Sequence, residues 1–312
     1  MATNRFDPDF TDNVIKSMGP QTPERFREIM TSLIRHVHDF ARETNLTVDE
    51  WMTGVRMMNW AGQMSDDKRN EGQLLCDVIG LESYVHSISK YTKGGTNGCL
   101  NDSLVDEITY KLAQEAEDTP TATAILGPFF RPDTKWRQNG DNVVQGVKGG
   151  EMVFMHGRVV DFVTKKPLVN ATVEMWEAST NGLYEQQDPE QVEHNLRGKF
   201  KTDEEGRYYY YCLRPTPYPV PDDGPAGKVL KLMDRHPFRP AHIHIIATYD
   251  GYKPLTTQIF DSKDPYLTND SVFAVKDSLV VDFVPREGDP QAGLELEYDI
   301  KLVPNEIHAS EA

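Results

Sequence analysis

The sequence predicts an α+β chain: an N-terminal helical domain over residues 1–118, then an antiparallel β-sandwich over residues 119–312. Three observations predict it. Before residue 118, apolar residues recur every three or four positions, which is the helical period. After it, Pro and Gly become frequent and short alternating runs lie between them, the grammar of strands and turns. No helical stretches alternate with those strands, which argues against a parallel α/β sheet.

The first helix is expected over 23–44, with Pro23 at its start and Thr22 as N-cap. Phe26, Ile29, Met30, Leu33, Ile34, Val37, Phe40 and Ala41 form one apolar stripe on it. Thr47 and Glu50 read as a capping box opening a second helix through Met64. That helix carries Trp51, Met52, Met57, Met58, Trp60 and Met64. They suit a partner surface or lipid groove, or ordinary core, which is the favoured reading because Met and Trp fill gaps between helices. A third helix is expected over about 70–90 and a fourth over about 104–115. Strands are expected at 152–160, 171–178, 206–212, 241–249 and 278–284, and a frayed tail after about 304.

At about 150 residues per domain, 312 residues suit two domains. The 33 basic and 49 acidic residues give a net charge of −16, which argues against a nucleic-acid partner. No apolar run approaches the ~20 residues a membrane helix needs, and the first ten residues do not read as a secretory signal. Three cysteines without a CxxC pair read as reduced thiols, so the expected location is cytoplasmic.

The candidate chemistry starts at RPAHIH, residues 239–244. In a strand, positions i and i+2 share a face, so His242 and His244 project together and can bind one metal. Their strand is otherwise apolar at Ile243, Ile245 and Ile246, and buried imidazoles need partners. No HxD or HxE pattern completes a facial triad. Two tyrosines stand out instead: Tyr184, after the turn Asn181-Gly182, and Tyr218, held stiffly between Pro217 and Pro219. Taken alone, they read more readily as half-buried packing residues than as ligands.

With LGPFF (126–130), GRVVD (157–161), NGLY (181–184), LRGKFKTD (196–203), PYPVPDDGP (217–225) and TQIF (257–260), the chain resembles the intradiol ring-cleavage dioxygenases, the catechol and hydroxyquinol 1,2-dioxygenase group. The resemblance spans most of the chain and is closest to the hydroxyquinol branch. It implies iron(III), with Tyr184 and His244 as equatorial ligands and Tyr218 and His242 as axial ones. It implies a catalytic Arg239 and Gln258, and Tyr218 leaving the metal as the substrate gives up its protons. The diol would chelate the ion through both oxygens, react with O2 and be opened to a diacid. The resemblance also implies a homodimer through the helical domain, with a possible bound phospholipid.

Substrate choice is expected on the helical side. Leu74 and Asp77 lie one turn apart on one helix face, and in the hydroxyquinol branch a Leu and an acid at this spacing line the pocket. An Asp there can accept a hydrogen bond from a third ring hydroxyl. Leu126, Gly127, Pro128 and Phe129 are expected to line the same pocket, and the following segment 131–136 departs from the family's small, Gly-rich one. These features favour hydroxyquinol over catechol. A non-catalytic sandwich that binds iron or a ligand is the alternative from another class.

Overall fold

A computed structural model describes residues 8–88, 119–147 and 149–305. Cys99 and the helix expected at 104–115 lie outside the described residues. The chain forms two compact units, residues 1–59 and 60–312.

In the first unit, α1 is Phe10–Lys16 and α2 is Glu24–Glu43, and α3, Val48–Met64, begins there. The capping box forms: the Glu50 amide donates to Thr47 Oγ1 at 3.3 Å, and the Thr47 amide to Glu50 Oε2 at 2.9 Å. Thr22 does not cap α2. Pro23 holds the cap position with extended backbone and no side-chain cap. The apolar stripe of α2 is real, yet Phe26, Ile29, Leu33, Val37 and Phe40 are all exposed. In α3 only Ala61 is buried, while Trp51 and Met58 are exposed, so the expectation of ordinary core is corrected for this helix.

The second unit opens with α4, Glu71–Val78, and α5, Leu81–Ile88. One continuous helix was expected here. Gly80 adopts φ +78°, a left-handed conformation that ends α4, and a Cβ at Gly80 would lie 3.1 Å from the Phe273 ring. Both helices pack on the β region: Ser83 Oγ donates to Val272 O, and the Ala226 amide to Glu71 Oε1. The compact boundary therefore falls within α3, while the change from helices to strands comes later in the chain.

The strands are β1 (Met152–Asp161), β2 (Thr172–Trp176), β3 (Arg197–Lys201), β4 (Arg207–Leu213), β5 (Tyr218–Pro219), β6 (Phe238–Arg239), β7 (His242–Thr248), β8 (Leu255–Asp261), β9 (Val280–Val281), β10 (Val284–Pro285), β11 (Leu294–Glu297) and β12 (Ile300–Leu302). One more helix, α6 (Pro225–Leu232), follows β5. One sheet runs β10-β11-β1-β12 with β4 on the other edge of β1, and the second runs β3-β2-β7-β8-β9. Most pairings are antiparallel, as expected. β1 pairs parallel with β11 and β12, and β8 with β9, because these partners return through long connections instead of hairpins.

The sandwich core lies between the two sheets. Val153, Met155 and Val159 of β1 meet Val173, Met175, Ile243, Ile245, Ala247 and Ile259 of the second sheet. Strand alternation then sends the intervening side chains of β2, β7 and β8 to that sheet's other face. The functional residues gather there.

Candidate active site

Register builds the floor of the site. Trp176 of β2 and Gln258 of β8 both pair with His244 of β7, and Phe260 pairs with His242. The Trp176 and His244 rings stack at 4.6 Å and 10°. Gln258 Nε2 donates to Ile125 O at 3.0 Å and lies 3.2 Å from His244 Nδ1. His242 Nδ1 lies 2.7 Å from Pro240 O, so it carries the ring proton and leaves Nε2 as a lone pair. The two Nε2 atoms sit 3.2 Å apart.

Tyr184 arrives from a loop and Tyr218 from the short strand β5, and together they complete the cluster. Tyr184 Oη lies 3.2 Å from Tyr218 Oη, and Tyr218 Oη lies 3.5 Å from His242 Nε2. Gly182, at φ +77°, makes the turn that delivers Tyr184; a Cβ there would stand 3.1 Å from Tyr218 Cβ. Tyr218 is held by pairing of β5 with β6, opposite Arg239. The Phe129 ring stacks on Tyr184 at 4.6 Å, a contact worth about 0.5–1.5 kcal/mol beyond buried area. All four polar side chains are buried.

Two oxygens and two ring nitrogens thus converge in an apolar shell, and the electrostatics suit a cation. Burial pushes both imidazoles down, helped by the charge of Arg239, so the histidines are neutral, the form that ligates. Burial pushes both phenols up. A multivalent cation at the shared centre is what would favour their phenolate forms. The hard oxygen donors with imidazole suit iron(III) better than a soft-ligand metal.

Arg239 is buried and lies between the cluster and two acceptors. Its Nη1 stands 3.0 Å from His242 Nε2, its Nη2 donates to Gln258 Oε1 at 2.7 Å, and its Nε donates to Asp270 Oδ1 at 3.3 Å. Asp270 also accepts the Val272 and Ala274 amides, which fixes it. Asp270 is a further member of the site that the sequence did not single out. So are Trp176 and the pair Glu185–Arg197: Arg197 Nε donates to Glu185 Oε2 at 2.6 Å, and its guanidinium carbon lies 5.8 Å from the Tyr184 ring centre.

The expected pocket residues divide. Phe129 and Leu126 pack with Tyr184, Tyr218 and Trp176. Gly127, at φ +74°, passes over His244, where a Cβ would lie 3.2 Å from Cε1. Pro128 is half-buried beside them. Leu74 packs in a neighbouring cluster with Ile125, Val220 and Phe260. Asp77 is 1% exposed on α4, and neither of its oxygens meets an N–H or O–H donor. It lies within electrostatic range of Arg239, Glu82 and Asp270.

Asp133, Glu193 and His194 form another acidic and histidine group among the described residues, with ligand atoms within 4.8 Å of one another. Arg131 already neutralises it, donating to Asp133 at 2.8 Å and Glu193 at 3.1 Å, so a cation there would compete with a guanidinium.

Residues 125–304 match the family described as "Dioxygenase", and residues 23–96 match "Catechol dioxygenase N terminus". The intradiol ring-cleavage dioxygenase prcA of Aspergillus niger is 49% identical over 99% of this chain and 92% of its own. Catechol 1,2-dioxygenase of Candida albicans is 45% identical over 94% of this chain and 91% of its own. Among solved structures, hydroxyquinol 1,2-dioxygenase from Pseudomonas putida DLL-E4 superposes with a TM-score of 0.76 at 33% identity, covering 95% of this chain and 98% of that one. The chain belongs to the intradiol ring-cleavage dioxygenases, a family of non-haem iron enzymes.

Proposed function

We propose that the enzyme opens hydroxyquinol (benzene-1,2,4-triol) with O2 to 3-hydroxy-cis,cis-muconate, the tautomer of maleylacetate, using iron(III) held by Tyr184, Tyr218, His242 and His244. Bound iron supplies a Lewis acid and template for the two adjacent ring oxygens. Tyr218, whose Oη faces both Tyr184 and His242, takes up a substrate proton. Arg239 offers a fixed positive charge to the anion that develops as the ring meets O2. Gln258 holds Arg239 on one side and faces His244 on the other. Leu74, Asp77 and residues 126–129 form the wall that reads the ring. Both oxygen atoms end in the product.

The observation that supports this substrate is Asp77: a buried acid without a donor, on the helix expected to face the ring. Burying such a group costs free energy, which a donating ring hydroxyl would offset. The second reading is catechol, giving cis,cis-muconate. It draws on the Candida albicans relative, named a catechol 1,2-dioxygenase, which is more similar than the hydroxyquinol structure. O2 uptake on the two substrates in parallel decides: the higher kcat/KM is expected on hydroxyquinol. A preference for catechol overturns the substrate assignment, and no uptake on either overturns catalysis in favour of a binding protein.

The exposed apolar stripe of α2 supports a homodimer formed through the helical domain with a phospholipid bound there, tested by sedimentation and lipid extraction. No helix among the described residues is long and apolar enough to cross a membrane. Cys76 and Cys212 are unpaired, which suits the reducing cytoplasm.

A further inference from the structure

The wall of the site contains a second acid that the family chemistry leaves without a task. Glu82 lies in the first turn of α5, brought round towards Asp77 by the break at Gly80. Its Oε1 accepts the Leu126 amide at 2.9 Å, and its Oε2 accepts Gln73 Nε2 at 3.0 Å. His86 Nε2 stands 3.8 Å from Oε1. Glu82 is therefore a well-solvated carboxylate, and it holds the 126–129 segment by its backbone. Gln73 lies one turn before Asp77 on α4, so its bond to Glu82 sets that carboxyl on the α4 face that carries Asp77. Asp77 is in the opposite condition, buried with no donor of its own.

Two adjacent carboxyls, Asp77 buried and Glu82 half-buried, share one proton, because two neighbouring charges out of bulk water are too costly. The partners decide which keeps it. Burial raises Glu82, but the donors around it outweigh this and hold it below the usual range. Burial, then the hydrogen bond to Glu82 and its charge, raise Asp77; Arg239 opposes weakly and Asp270 adds to the rise. Cys76, the ionisable neighbour on α4, has its thiol pushed up by burial and by the Asp77 and Glu82 charges, so it is neutral.

We propose that Glu82 is a specificity-determining positioning residue: it accepts a hydrogen bond from the carboxyl O–H of Asp77, so that Asp77 turns a neutral carbonyl oxygen to a donating substituent of the ring. The proposal deepens the reading of the site as a hydroxyquinol dioxygenase and rests on it. Neutrality has a chemical purpose. A diol that chelates iron has given up two protons, and a carboxylate in the wall would repel it. A neutral carbonyl accepts from the third hydroxyl without that cost. The same Glu82 carboxylate grips the Leu126 amide, so the group that keeps Asp77 neutral also sets the opposite stretch of wall.

The test compares iron-loaded wild type, Asp77→Asn, Asp77→Leu and Glu82→Gln, with kcat and KM on hydroxyquinol and catechol from neutral to alkaline pH. An Asn amide donates to Glu82 and presents a carbonyl, so Asp77→Asn should keep the hydroxyquinol-to-catechol ratio of kcat/KM within about threefold. Asp77→Leu should lower it by roughly tenfold or more, the order expected when a built hydrogen bond is lost. In wild type, KM for both substrates should rise as pH passes about 9, where Asp77 loses its proton. That rise should be absent in Asp77→Asn and moved to lower pH in Glu82→Gln. Without turnover, the infrared difference spectrum of wild type minus Asp77→Asn at neutral pH should show a protonated-carboxyl band, separate from that of buried Glu177, which both proteins share. A ratio that falls as far in Asp77→Asn as in Asp77→Leu overturns the proposal, as does a missing carboxyl band. A wild type that prefers catechol overturns the substrate assignment instead, and its KM profile on catechol still tests the pair.

Discussion

The floor and the wall of this site are built in contrasting ways. The floor is the outer face of β2, β7 and β8, where strand register lines up Trp176, His244 and Gln258, and every polar group of Arg239 and Gln258 has a partner. The proposed wall is α4, α5 and the 126–129 segment, where Asp77 is buried without a donor. Trp176 Nε1 is the floor's one polar atom without a partner among these three residues, but Arg239 and Gln258 are locked, and a register-locked face is suited to chemistry common to a family, since neither the position nor the charge of those groups is free to drift. An unsatisfied polar atom in an otherwise apolar wall is suited to choosing a ligand, since a complementary substituent is the group that can satisfy it. On the proposed reading, ring cleavage belongs to the first region and ring selection to the second.

Two substitutions test that division, the larger effect first. Arg239→Ala strikes the floor. It removes the fixed charge beside His242 and frees Gln258 and Asp270, and kcat should fall on the order of 10²–10³ on hydroxyquinol and catechol alike. Iron content should be retained. A loss confined to one substrate would break the contrast by putting selection in the floor. Gly127→Ala strikes the joint between the regions. A side chain at φ +74° costs about 1–2 kcal/mol and meets the His244 ring, so Tm should drop by a few degrees and both activities should fall modestly. An unchanged Tm would show that the wall yields more readily than this backbone requires.

The sequence made some of this legible. The two-residue period of a strand placed His242 and His244 on one face without any knowledge of the fold, and the helix-to-strand change was visible in composition. The tyrosines were not readable that way. Tyr184, in a loop, and Tyr218, in a two-residue strand, lie 34 residues apart and meet only after folding, so it was the resemblance to a family that pointed to them. Trp176 and Asp270 were missed because cross-strand register and a salt bridge spanning 31 residues leave no local pattern. Glu82 was missed for another reason. Gly80 was tolerated within an expected single helix, and its left-handed turn is what sets Glu82 against Leu126, 44 residues away. In α2 and α3 the apolar residues were identified correctly, but whether they faced a core or the exterior was not encoded in their spacing.

On the proposed reading, Tyr184, Tyr218, His242 and His244 hold a ferric ion on the outer face of the second sheet. Metal analysis and the visible spectrum of the purified protein, beside Tyr184→Phe, test it most directly. Wild type should carry about one iron per chain and a wine-red tyrosinate-to-iron(III) band that shifts when a diol is added, with the band weakened and displaced in the variant. A colourless protein carrying stoichiometric zinc, or a band unchanged by Tyr184→Phe, would contradict it.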